Sequence, residues 1–147
     1  MIVMANADTV KLLKECDAGV KMGVSTIDEV IGHVENSELE SILKKSSEEH
    51  SKIGSEAHEL LNEYGESDKE PNPMAKGMSW LKTNIKLSAN ESDNTVADLI
   101  TDGCNMGIKS LRKYKNQYKA ADKKSQSIAS RLIDLEENLR ADMAKYL

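Results

Sequence analysis

Apolar residues recur at helical spacing in four long stretches of the chain. The first runs from about Asp8 to Val34. Its stripe of Val10, Leu13, Val20, Val24, Ile27, Ile31 and Val34 advances in strict three- and four-residue steps, with Asp17 set into it. The second runs from about Ser37 to Tyr64 and carries Leu39, Leu43, Ile53, Ala57, Leu60 and Tyr64, interrupted by Ser46 and His50. Asn36 or Ser37 caps it, with Glu40 three residues past Ser37 as in a capping box. Gly65 stops it in the left-handed conformation that glycine adopts without strain. The third stretch, Asp93 to about Ala121, presents Val96, Ile100, Cys104, Ile108, Leu111, Tyr114 and Tyr118 on one side. Asp122 opens the fourth, which carries Ile128, Leu132, Leu135, Leu139, Met143 and Tyr146. Short links join the first two and the last two stretches, which makes each pair an antiparallel hairpin. A narrow apolar stripe cannot be buried by one helix alone. The spacing therefore predicts an all-α, antiparallel four-helix bundle, with residues 1–147 forming a single domain.

The joint between the hairpins is longer. Gly65 to Pro73 is polar and holds both prolines. Met74, Met78, Leu81 and Ile85 then mark a short amphipathic helix, with Trp80 beside the stripe, and Ser88 to Asn94 breaks it. The second and third long helices are thus expected to be joined by a crossover containing its own helix. An internal repeat fits this plan. Cys16-Asp-Ala-Gly-Val-Lys21 recurs 88 positions later as Cys104-Asn-Met-Gly-Ile-Lys109. Each matching glycine, Gly19 and Gly107, costs a helix roughly 1 kcal/mol relative to alanine, which points to close helix–helix approach at both.

The quoted segments Leu12-Leu13-Lys14-Glu15-Cys16-Asp17-Ala18-Gly19, Gly77-Met78-Ser79-Trp80-Leu81-Lys82 and Asp98-Leu99-Ile100-Thr101-Asp102-Gly103 together resemble a bacterial ferritin-like four-helix-bundle family of unknown function. The resemblance implies the fold and not a chemistry. Ferritin-like relatives with di-iron centres use one Glu on each of two helices and Glu-x-x-His on each of the others. Here the residues three before His33, His50 and His58 are Val30, Ser47 and Ser55, so Glu-x-x-His is missing. Glu29 with His33, four apart, is the nearest substitute. The ordinary di-iron site is absent in its usual form.

Polar residues nonetheless enter the stripes. Counting from the turn near Glu35, Asp17 and His50 come to within about 4–5 Å of the same height on antiparallel helices. With Ser46 and Asn105, the repeat equivalent of Asp17, they are expected to form a hydrogen-bonded cluster that fixes register. The alternative is an altered iron or other divalent-metal site built from Asp17, His50 and Glu49. On the fourth helix Leu135 and Leu139 face that region, with Glu137 and Asn138 off the stripe. The adjacent acids Glu48-Glu49 and Glu136-Glu137 read as solvated faces, since neighbours on a helix point about 100° apart.

Composition narrows the rest. Only 3% of residues are aromatic, and 8 Gly and 2 Pro leave little turn chemistry for a sandwich or barrel. The net charge of −5 does not suggest a nucleic-acid binder. Charge is uneven: residues 109–131 sum to +7 and residues 28–70 to −9. Docking of opposite charges between copies, hence self-association, is the expected use. The tyrosine-interleaved cations of 112–119 and the lysines of the crossover segment are weaker pointers to single-stranded nucleic acid or an anionic membrane surface. No stretch is apolar enough to span a bilayer. Cys16 and Cys104 sit on apolar faces without a C-x-x-C pair, and the opening residues lack a basic region, so a reduced, cytoplasmic protein is expected. No P-loop, dinucleotide fingerprint or nucleophile motif occurs, so the reading is a non-catalytic structural or interaction module.

Overall fold

The computed structural model describes residues 5–66 and 92–147. Among them every regular element is helical: α1 (Ala7–Ile31), α2 (Ser37–Glu63), α3 (Asp93–Gln117), α4 (Lys123–Met143) and a closing 3₁₀ turn, Ala144–Tyr146. The starts follow capping chemistry. The Asn6 side chain accepts from the Thr9 amide at 2.8 Å, Asn36 from Leu39 at 3.0 Å and Asp122 from Ser125 at 2.9 Å. Gly65 takes the expected positive φ of 73° just past α2. Two ends fall short of the periodicity. α1 stops at Ile31 rather than Val34, and α3 at Gln117 rather than Ala121. Val34 and Ala121 still pack against the core from the loops, and spacing alone does not separate a loop residue from a helical one on the same face.

α1 packs beside α2 and α3, α4 beside the same two, and α1 also meets α4 across the centre. Loop contacts fix the directions. The Asp93 carboxylate, at the start of α3, accepts from the Glu35 and Asn36 amides at 2.9 and 3.1 Å in the α1–α2 loop. At the opposite end the Asp8 carboxylate accepts from the Ala120 amide at 3.0 Å, and the Asp122 amide donates to Thr9 Oγ1 at 2.8 Å. Each hairpin loop is thereby held by the first turn of the other hairpin. Neighbouring helices run antiparallel while α2 and α3 run the same way, so the end of α2 and the start of α3 lie at opposite ends of the bundle. The expected helix from Met74 to Leu87, with Trp80, lies outside the described residues.

Leu12, Leu13, Cys16, Ile27, Leu39, Leu43, Leu61, Ile128, Leu132 and Met143 form the fully buried centre. The buried face of α1 is wider than its stripe. Leu12 and Cys16 are fully covered, whereas Val10, Val24 and Ile31 are half-buried. A helix that touches three others buries an arc rather than a line. No described helix is long and apolar enough to cross a membrane.

Candidate functional site

Halfway along the bundle two ionisable side chains meet inside. His50, on α2, is fully buried, and its Nε2 lies 2.7 Å from Glu136 Oε1 on α4. Its Nδ1 lies 2.7 Å from the Ser46 carbonyl and 3.3 Å from the Ser46 hydroxyl. A carbonyl only accepts, so Nδ1 carries hydrogen and the ring faces Glu136 through its other nitrogen. One further proton is shared between that nitrogen and the carboxylate. Burial works against charge on the imidazole. The Glu136 hydrogen bond and charge, the Ser46 carbonyl and the Glu49 charge together outweigh it, and the His50 pKa lies above its ordinary 6.5. The raised value favours the shared proton on the imidazole side of the pair.

The raised value makes stability depend on pH with a definite sign. The contribution is complete below the ordinary histidine value of 6.5 and is lost as pH rises through the higher folded value. A denaturation midpoint measured from pH 6 upward is expected to fall as pH rises through the raised His50 value. A midpoint that rises over that interval would contradict the assignment.

Glycine makes the placement of the ring workable. A Cβ at Gly23 of α1 would stand 3.0 Å from two atoms of the His50 ring, which its two hydrogen bonds hold in place. Gly23 thus marks the height of His50 on α1. Asp17 lies six residues away, about 9 Å by helical rise. It does not join the cluster expected from the turn count. Its carboxylate pairs with Lys21 at 3.0 Å. Asn105 is exposed and accepts from Arg140 at 2.9 Å, so it is not in the cluster either. The Ser46–His50 contact is present as expected. Among the described residues no group of three His, Cys, Asp or Glu side chains is placed to hold a metal ion.

The residue missed by spacing is Glu136, which is only 7% exposed rather than part of a solvated face. Two signals point to it. It stands four residues after Leu132 and three before Leu139, hence on the same buried arc. It also follows the α4 cap Asp122 by as many residues as His50 follows the α2 cap Asn36. The pair therefore joins equivalent positions of two look-alike hairpins.

Glu136 forms the floor of a cavity of about 160 Å³ that opens between α1 and α3. Gly19, Gly23, Gly103 and Gly107 line its walls with Ala18, and Met22, Ile100, Met106, Leu111 and Leu132 supply apolar surface. The tight approach expected at Gly19 and Gly107 is not what occurs. An added Cβ would meet Leu132 at 3.7 Å in one case and Glu136 at 3.6 Å in the other, ordinary contact distances, and at Gly103 it would meet nothing within 4 Å. These glycines leave space instead of closing it. Cys104 also lines the cavity. Burial, then the neighbouring Glu136 charge, push its thiol well up, and burial with Glu15 and Asp17 raises Cys16 to about 12. Both thiols are free, buried and protonated, so neither is a nucleophile at neutral pH.

Part of the charged flanks is paired within the fold. Arg131 clasps Glu56 through two bonds at 2.7 and 2.8 Å, and Arg112 binds Glu137. Tyr114 and Tyr118 stack on each other with centroids 6.0 Å apart and pack against the core, which removes the aromatic interleaving a single strand would use. Comparison with family models, curated proteins and solved structures finds no match to the chain.

Proposed function

We propose that the protein is a non-catalytic binding module of ferritin-like architecture, whose α1–α3 groove receives a small, mostly apolar molecule. One observation carries the reading: Gly19, Gly103 and Gly107 face a single cavity that they leave open, above a buried carboxylate. Each such glycine costs roughly 1 kcal/mol relative to alanine, so open space is kept at the expense of helix stability. A cavity of about 160 Å³ matches the roughly 150 Å³ that suffices for one benzene ring. Binding is favoured over catalysis because both His50 nitrogens are already engaged, which leaves no imidazole to act as a base on a ligand. The same engagement argues against the Asp17, His50 and Glu49 metal site. The parallel α2 and α3, joined through 67–91, favour the ferritin-like assignment. Uneven charge along the chain still supports self-association as a second property.

Titration with benzyl alcohol, followed by amide shifts in a two-dimensional NMR spectrum, tests the groove. Saturable shifts at Gly19, Gly23, Gly103 and Gly107 are expected. Gly103→Ala should raise stability by up to about 1 kcal/mol, because the methyl group has room and alanine favours the helix, while weakening the titration. A wild-type spectrum without saturable shifts at these glycines rejects the reading.

A further inference from the structure

The lining of the groove has a sign. Glu136 forms the floor and Glu15 stands in the α1 wall, while no lysine, arginine or histidine lines it. His50 balances Glu136 from behind, on Oε1, and the Cys104 thiol also bonds the carboxylate, whose Oε2 lies 3.6 Å from where a Gly107 Cβ would stand on the cavity wall. Glu15 adds a second carboxylate beside Tyr114, whose pKa is raised by burial and then by Glu15. We propose that the groove selects an organic cation: an ammonium head meets Glu136 and an apolar body about one ring in size lies against Met22, Ile100 and Leu132. This rests on the groove reading above and adds the ligand's charge to it.

The physics separates three ligands of one shape. An ammonium leaving water needs a charged acceptor, and a carboxylate within low-dielectric walls provides one. With Glu136 balanced by His50, the net charge of the lining comes from Glu15, and the walls focus its field, which draws cations in. A carboxylate ligand would lose its hydration beside Glu15 and the Glu136 carboxylate, with no lysine, arginine or histidine lining the groove to receive it. A neutral ligand gains the apolar contact only.

Benzylamine, benzyl alcohol and benzoate share a ring and differ in head group. Titration of each into the full chain, read by the same glycine amides near neutral pH, is the test. Benzylamine is expected to bind at least tenfold more tightly than benzyl alcohol, and benzoate not measurably. Glu136→Gln removes the charge while a carboxamide still reaches His50, and should abolish the preference for benzylamine over benzyl alcohol. Should that variant fail to fold, Glu15→Gln, on the partly exposed wall, should reduce the benzylamine preference several-fold. Benzyl alcohol binding as tightly as benzylamine to the wild type would overturn the cation inference and leave the groove reading standing. Absence of binding by all three would end both.

Discussion

Replacing His50 with leucine is expected to destabilise the protein by about 3–5 kcal/mol, the cost of leaving one member of a buried pair without its partner. Glu136 is 7% exposed, and its Oε1 would lose the donor 2.7 Å away. Near neutrality the isolated carboxylate must either stay charged in an apolar surround or take up a proton at a free-energy cost. The double variant, His50→Leu with Glu136→Leu, should recover most of the loss, because two leucines need no partners and fill similar volume. Chemical denaturation of wild type, both single variants and the double variant gives the coupling directly. Equal losses that simply add in the double variant would show that the two side chains are not a unit. The double variant should also lose the decline in stability above pH 6.5.

Gly54→Ala is expected to cost about 1–3 kcal/mol, although alanine is the better helix former. Gly54 is buried where α2 crosses α1, and an added Cβ would stand 2.7 Å from Val20 Cγ1 and 3.4 Å from Val20 Cβ. Valine is stiff at χ1 in a helix, so it cannot swing aside, and the helices must separate. Gly103→Ala is the matched control: the same exchange in α3, with nothing within 4 Å of the new methyl group, should be stabilising. Thermal unfolding of both variants checks the sign. An unchanged or raised midpoint for Gly54→Ala would mean that the α1–α2 contact is looser than these distances.

The two responses share an origin that helix periodicity does not record. In the sequence Gly19, Gly54, Gly103 and Gly107 are equivalent, each a poor helix former inside an apolar repeat. Which of them seals a crossing and which opens a cavity depends on the neighbour across the gap. The internal repeat singled out Gly19 and Gly107 as sites of close approach, whereas the tightest contacts are at Gly23 and Gly54. Glu136 shows the same limit from the other side. Its spacing from Leu132 and Leu139 placed it on the buried arc, but Leu135 shares that arc, and a charged residue beside a second acid reads first as solvent-facing. Counting from Glu35 likewise set His50 level with Asp17, because a turn count assumes that both helices leave the loop at the same height.

The helical class, the two hairpins, the caps at Asn36 and Asp122, the break at Gly65 and the burial of His50 and Ser46 were all written in local patterns. Those features depend on residues a few positions apart, where spacing, propensity and capping act. The pairing of His50 with Glu136, the parallel course of α2 and α3, and the groove between α1 and α3 depend on residues many tens of positions apart. Such partners are set by how the helices rotate and slide against one another as they pack. A chain's one-dimensional pattern carries the face of each helix but not its height or its neighbour, and this site was decided by height and neighbour.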